Sequence, residues 1–410
     1  MFDSIFPGSE TIQVAHQSEV AEVVAAAYAQ QRPIYPVGGA TSLGLGAVAG
    51  KPGTVLRLAK LNQRVDYPSR DLTITVEAGM KMAELAKCLS AEQQRLPIDV
   101  ASAESATVGG VVAANLCGPR RYRYGTVRDY LLGLTVVDGT GQSFSTGGRV
   151  VKNAAGYDLT RLMIGSLGAL GVITQATLMV RPVPEMSAFV VVPLPSLEKA
   201  ESLLASLRTS ELEPAALSLV VGDRLADDPD RGAAATLWIG LESSEIEVRW
   251  MLDLASRLCR EQGLPAVFID APDRVASIWR GLTEHAAVRP DQRAATLAVE
   301  LTVLPSRTVA AAVRLHQFDP QASLLCQAGN GVILAWFSCK PENAGELVTR
   351  IRKAAEELGG RVVVTDFPPE SRLDRSTIWG PPGPEIRVMQ RIKRQFDPEG
   401  ILNPGRFIFE

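Results

Sequence analysis

Two glycine-rich stretches, PVGGATSLGLG starting at Pro36 and ATVGGVVAANLCG starting at Ala106, lie about seventy residues apart. Glycines clustered between β-rich runs let backbone N–H groups approach an anion without interference from a Cβ. Two such loops in one half of a chain point to a ligand longer than one phosphate, and a dinucleotide fits that description. Each cluster taken alone also fits a tight turn. The glycines do not follow the Rossmann rule. GSLGALG from Gly165 continues through Val172 and Ile173 into a strand instead of opening a helix, and no acidic residue follows at the required distance. The first loop has neither the Lys nor the Ser/Thr of a P-loop. NAD and ATP are therefore disfavoured.

The rest of the chain sets the frame for these loops. With 410 residues it is too long for one ordinary core, so two domains are expected. A net charge of -3 without basic runs argues against nucleic acid. MFDSIFPGSE carries an acid and no basic n-region, so no signal peptide is expected. The apolar run Leu162 to Val172 is too short and too glycine-broken to span a membrane. The five cysteines are scattered, odd in number and without a CxxC pair. Disulfides, zinc and iron-sulfur clusters are disfavoured in this chain, and a reducing cytoplasm is the expected compartment.

All seven tyrosines fall between Tyr28 and Tyr157, and all five tryptophans between Trp238 and Trp379, which marks two environments. RPVPE, from Arg181 to Glu185, places two prolines at the join, where they interrupt helix and ladder alike. Before it, helical patterns (Gln17 to Gln31, Lys81 to Gln93) alternate with strand-like runs (Thr73 to Glu77, Leu134 to Asp138, Ala169 to Arg181). After it, strands at Ala188 to Pro193, Ala216 to Val221, Thr236 to Leu241, Thr296 to Val303 and Val332 to Phe337 interleave with helices from Leu197, Glu245, Ser306 and Glu342. This predicts an α+β domain with a largely antiparallel sheet. MQRIKRQFDPEGILNPGRF reads as one amphipathic helix ending before Asp397, followed by a proline and glycine turn.

The ordered set PVGGATS, ATVGG, AANLCG, RYGTVRDYLLGL, GYDL and GSLGALGVIT, with NPGR at the far end, resembles the FAD-binding (PCMH-type) domain of the vanillyl-alcohol oxidase and p-cresol methylhydroxylase superfamily. Within it the chain is similar to the branch of D-lactate dehydrogenases, D-2-hydroxyglutarate dehydrogenases and glycolate oxidase flavin subunits, and most similar to the smaller, E-type subunit. The resemblance implies an overall α+β chain: a two-part FAD-binding domain over residues 1–183, an α+β cap over 184–370, and a segment 371–410 returning to the FAD domain. It also implies site residues. Pro36, Val37, Gly38, Gly39, Ala40, Thr41, Ser42 and Leu43 would hold the pyrophosphate through amides and the two hydroxyls. Thr107, Gly109 and Gly110 would run along the adenosine and pyrophosphate. Asn115, Gly118, Tyr124 and Gly125 would lie beside the dimethylbenzene or ribityl region, Val172 and Ile173 would meet adenine or ribose, and Asn403 would return to the ring. The alternatives are that Asn115 caps a helix, that Tyr124 is core, and that Asn403 is left in solvent by a plain turn. Ala40 stands where some members attach flavin to histidine, and His16, His285 and His316 sit in helical contexts, so the FAD is expected to be non-covalent.

Oxidising a 2-hydroxy acid requires removal of the hydroxyl proton with hydride transfer to flavin, usually beside a cation or metal that orients the carboxylate. The resemblance locates such groups in the cap, and this chain departs from them. SIWRGL puts Leu282 where an arginine is expected, with Arg280 offset; TLAVELTVLPS offers Val299 or Glu300 in place of a lysine. CQAGNGVILAW has Gln327 and Leu334 in place of metal-binding histidines and Asn330 in place of an aspartate. No histidine follows His316, so no metal is expected. The favoured expectation is a flavin-bearing subunit of a glycolate oxidase-like complex. Its partners would be a larger paralogous flavin subunit that does the chemistry and an iron-sulfur subunit, with membrane association only through partners. The runner-up is a free-standing FAD-dependent 2-hydroxy-acid dehydrogenase using Arg280, Glu284 or His285. A third reading is a FAD-fold scaffold that has lost its cofactor.

Overall fold

A computed structural model describes residues 5–148, 157–222, 225, 228–230, 232–285 and 296–408. Gly156 of the GYDL motif lies outside the described residues. The chain divides into two compact units. The first comprises Met1–Cys117, Thr126–Val183 and Arg372–Glu410, and the second Gly118–Gly125 with Pro184–Ser371.

In the first unit, strands Glu10–Gln13, Thr54–Arg57 and Ile34–Val37 form a parallel sheet with Thr54–Arg57 in the centre. Helix Gln17–Ala29 buries Val20, Val24 and Ala27 in the same cluster as Ile34 and Leu56. Glu19 closes its N-terminus by accepting from the Ala15 and His16 amides. A five-stranded antiparallel sheet follows, in the order Arg64–Asp66, Thr73–Glu77, Val172–Met179, Leu131–Val137, Ser143–Gly147. Its central strand alternates side chains: Thr174, Ala176 and Leu178 are buried while Gln175 and Thr177 are half-buried.

The C-terminal segment is fastened to this unit by buried charge. Helix Ile386–Phe396 delivers Lys393, whose Nζ donates to the Ala169 carbonyl (2.7 Å), the Leu402 carbonyl (2.9 Å) and the Asp397 carboxylate (2.5 Å). Asp397 also accepts from the Ile401 and Leu402 amides (3.0 and 2.8 Å), so neither buried ion lacks partners. Burial lowers the Lys393 ammonium from its ordinary range and Asp397 opposes that shift. Leu402 then bridges Ile34 in parallel register, and Asn403 N–H donates to the Ile34 carbonyl at 2.9 Å.

The second unit is an eight-stranded sheet in which every pairing is antiparallel. The order is Val267–Ile269, Met186–Leu194, Ala235–Ser243, Ala216–Val221, Ser323–Gln327, Val332–Ser338, Thr296–Thr302, Arg361–Asp366. The strands at Ser323 and Arg361 were not anticipated: the first is a short, fully buried run, and periodicity does not separate such runs from buried helix. One face carries helix Pro272–Glu284 through Val275, Ile278, Trp279 and Leu282. The excursion Gly118–Gly125 belongs to the same unit. Arg120 donates twice to Glu242 (3.0 and 2.8 Å) and lies 3.7 Å over the Trp279 ring, and Arg123 donates to the Glu213 and Glu242 carbonyls. Among the described residues no helix is long and apolar enough to cross a membrane.

Removing one partner of a buried ion pair strands the other, so Lys393→Met should cost roughly 3–5 kcal/mol. A lowered unfolding midpoint in urea is the expected result. An unchanged midpoint would mean that the backbone donors alone satisfy Asp397.

Candidate functional site

The two glycine stretches meet. A Cβ at Gly38 would lie 2.0 Å from Thr107 Oγ1, and one at Gly39 would lie 1.8 Å from the Ser105 carbonyl oxygen, so neither position admits any side chain. Gly109 is similarly closed, 2.7 Å from Ala78 Cβ. These glycines are required by the protein's own packing before any ligand is considered. Gly110 differs. Its added Cβ would have one neighbour, Thr107 Oγ1 at 3.1 Å, and otherwise open space. Thr107 Oγ1 is the N-cap acceptor for the Gly110 amide.

The result is a cleft within the first unit. Pro36, Val37, Gly38, Gly39, Ala40, Thr41, Ser42, Leu43, Thr107, Gly109, Gly110, Ile173 and Asn403 all line it. Asn115, Gly118, Tyr124, Gly125 and Val172 do not. Asn115 ends helix Val108–Ala114 in the left-handed conformation, φ 54°, the capping alternative read from the sequence. Tyr124 packs against the apolar cluster of the second unit, and Gly118 and Gly125 bound the excursion that carries it. Val172 is fully buried among Val137, Leu56 and Ile34.

The cleft fits an anionic dinucleotide on three observations. The amides of Gly38, Gly39, Ala40, Thr41, Ser42 and Leu43 donate to no acceptor among the described residues, although the flanking Leu45 and Leu58 amides are paired. Ala40 takes a left-handed conformation, φ 61°, which turns the loop sharply at that point. Third, Arg406 brings a buried guanidinium to the cleft. It donates to the carbonyls of Leu43 (2.9 Å), Leu45 (2.8 Å) and Ala47 (3.1 Å), and lies 5.1 Å over the Phe6 ring. It has no carboxylate partner among the described residues, and burial pulls its pKa down to about 10, so it stays charged at neutral pH. Asn403 adds one more polar group: it is 8% exposed, its Nδ2 donates to the Leu167 carbonyl, and Oδ1 accepts no hydrogen bond among the described residues. Sequence reading named Asn403 but missed Arg406, three residues on in the same NPGR motif, together with Phe6, Leu58, Ala78, Leu167 and Gly168. The basic end of that motif was the signal for Arg406.

The chain matches the model of an FAD binding domain over residues 9–147 and that of the C-terminal domain of FAD linked oxidases over 183–364 and 382–407. It belongs to the FAD-linked oxidases. FAD is the cofactor of this oxidoreductase family. Among similar curated proteins, D-2-hydroxyglutarate dehydrogenase of Xanthomonas citri pv. viticola is 30% identical, covering 96% of this chain and 87% of that one. Glycolate oxidase subunit GlcE of Escherichia coli is 31% identical, covering 84% and 85%. Subunit GlcD of Bacillus subtilis is 26% identical, covering 95% and 86%. Among solved structures, an alkyldihydroxyacetonephosphate synthase superposes with TM-score 0.71 at 20% identity over 96% of this chain and 76% of that one, a likeness of fold.

In the second unit, Leu282 is fully buried in the apolar cluster, and Val299 is fully buried as well. Arg280 is exposed. His285 is buried at the end of its helix, with Nε2 3.2 Å from Ser323 Oγ and its ring edge-on to Trp336 at 5.3 Å. Among the described residues no three His, Cys, Asp or Glu side chains gather as metal ligands.

Two substitutions separate packing from binding. Gly110→Val should leave the fold intact and weaken FAD about tenfold or more, since the new side chain enters the cleft. Gly39→Val should instead lower thermal stability together with FAD binding. Flavin fluorescence titration and a melting curve on each variant decide it; equal FAD affinity in Gly110→Val would show that the cleft does not take the cofactor there. Arg406→Met should also weaken FAD, and Arg406→Lys should recover part of the loss because the charge returns without the three-way carbonyl contact.

Proposed function

We propose that this chain is a flavin-bearing subunit of a glycolate oxidase-like complex that oxidises small 2-hydroxy acids in the cytoplasm. In this reading the main substrate oxidation takes place on a larger paralogous flavin subunit, and an iron-sulfur subunit carries electrons onward. The observation that carries the proposal is the contrast between the two units. The first keeps a complete anion cleft; the second carries Leu282, Gln327 and Leu334 where the resemblance calls for an arginine and metal-binding histidines. The relatives named as glycolate oxidase subunits support the assignment to a complex.

Within the first unit we assign the amides of Gly38 to Leu43 and the hydroxyls of Thr41 and Ser42 to the pyrophosphate, with Arg406 as the fixed countercharge. Thr107, Gly109, Gly110 and Ile173 wall the adenosine side, and Asn403 Oδ1 is held ready for a donor by the grip of Nδ2 on Leu167. Bound FAD supplies the two-electron acceptor. The residues lining the cleft include no histidine, tyrosine or cysteine, which supports non-covalent attachment. Asn115 and Val172 serve the fold around the cleft.

The isolated chain should release its flavin into the supernatant on acid precipitation. Mixed anaerobically with glycolate or D-lactate, it should bleach slowly or not at all, and added divalent metal should not accelerate it. Fast bleaching abolished by Arg280→Ala would replace the subunit reading with that of a free-standing 2-hydroxy-acid dehydrogenase.

A further inference from the structure

The NPGR turn has a second cavity beside it. Asn403 lines both that cavity and the FAD cleft, Arg406 lines the cleft, and Pro404 and Gly405 line the cavity. Its volume is about 360 Å³, within the range of small-molecule sites. Gly50 and Lys51 bring the loop after Ala49 to it, Lys393 and Gly400 come from the C-terminal segment, and every lining residue lies in the first unit. No aspartate or glutamate lines it among the described residues. The nearest acids along the chain are engaged elsewhere: Asp397 by Lys393 and two amides, and Glu399 by Gln31 Nε2 at 2.8 Å.

Here main chain meets main chain without spending its donors. A Cβ at Gly405, whose φ is 81°, would lie 3.4 Å from the Gly50 amide nitrogen, so the two segments touch, yet no hydrogen bond joins them. The amides of Gly50, Lys51 and Gly405 donate to no acceptor among the described residues. Their neighbours are fixed. Ala49 N–H donates to the Ile5 carbonyl at 2.9 Å, and the buried Tyr35 hydroxyl donates to the Lys51 carbonyl at 2.6 Å. The Arg406 carbonyl accepts from Ala47 N–H and Trp379 Nε1. Lys51 is exposed and pairs with no carboxylate among the described residues. Buried Lys393 adds a second ammonium to the wall, its donors spent on Ala169, Leu402 and Asp397. Three unpaired amides beside an unpaired ammonium suit an anion rich in acceptor oxygens, and a tetrahedral phosphate offers more of these than a carboxylate. The rest of the wall, Ala169, Leu402, Pro404 and Phe407, is apolar and suits a short organic substituent.

We infer that this cavity binds a phosphate group, free or as a small phosphomonoester, on the amides of Gly50, Lys51 and Gly405 and the Lys51 ammonium. The site is assigned binding and no chemistry, and it does not depend on the subunit reading. The test is calorimetric titration of the FAD-loaded full chain, whose cleft is already filled, with inorganic phosphate, glycerol phosphate and acetate at matched ionic strength. Both phosphates should bind, and acetate should bind at least about tenfold more weakly. Tighter binding of glycerol phosphate identifies the ligand as a monoester; equal binding of the two identifies the bare phosphate group. A Cβ at Gly50 would meet nothing within 4 Å, and its φ lies outside the left-handed region, so Gly50→Val should fold and fill the cavity. Gly50→Val and Lys51→Gln should each weaken phosphate about tenfold while FAD affinity, read by flavin fluorescence, stays unchanged. If Gly50→Val fails to fold, Lys51→Gln carries the same information. No binding of either phosphate, equal affinity for acetate, or unchanged phosphate affinity in folded Lys51→Gln would overturn the inference. Release of flavin by phosphate would place the anion in the cleft and overturn it as well.

Discussion

Close seating of the first glycine stretch on Thr107 and Ser105 is the constraint from which the first unit's cleft follows. Gly38 lies on the Thr107 hydroxyl and Gly39 on the Ser105 carbonyl, at separations that leave no room for a methyl group. Because the loop's glycines seat directly on Thr107 and Ser105, the loop after Val37 is pinned at its start without spending its amides, and those of Gly38 to Leu43 donate to no acceptor among the described residues. A fold ordinarily satisfies its backbone donors, so a run of free ones in a cleft is itself a statement about a ligand. The charge that suits them comes from Arg406, which is held by carbonyls and so keeps its positive charge uncancelled.

That arrangement depends on the return of the C-terminal segment. The Lys393 and Asp397 pair ties the last helix to Ala169, next to cleft-lining Gly168, and to Leu402, next to cleft-lining Asn403. The segment then extends along Ile34, so the far end of the chain completes a cleft begun some three hundred and sixty residues earlier. The Lys393 contact to Ala169 and the Arg406 contacts to Leu43, Leu45 and Ala47 are long-range, and each is made by a charged side chain of a type that is mostly exposed.

The second unit is organised differently. Its sheet is closed on one face by an apolar cluster around Trp238, Trp279 and Trp336, and the short excursion Gly118–Gly125 is gripped by Glu242 through Arg120. Three of the five tryptophans thus share one sheet face and its covering helix, whereas Trp250 is exposed on helix Glu245–Glu261 and Trp379 packs on Phe407 in the first unit. On the same face Trp238 Nε1, Ser218 Oγ and Gln327 Oε1 are buried with no hydrogen-bond partner among the described residues, and this sets it apart from an ordinary core.

Much was legible in the residues themselves. Hydrophobic periodicity placed the strands at Thr73 and Ala216 and the helices at Gln17, Leu197 and Glu245, because period 2 and period 3.6 are local properties of the chain. The glycine stretches announced an anion site, since only glycine tolerates backbone approach of that kind. Their reason was read only in part: Gly38 and Gly39 are closed by Thr107 and Ser105, whereas Gly110 alone of the paired glycines opens to the cleft. No local pattern separates these cases, because the difference lies in which backbone stands opposite. Tyr124 and Asn115 likewise sit in a motif that reads as one continuous cofactor wall, yet one packs in the second unit and the other ends a helix. The role of Arg406 depends on the carbonyls of Leu43, Leu45 and Ala47, some three hundred and sixty residues away, and only the folded chain brings them together.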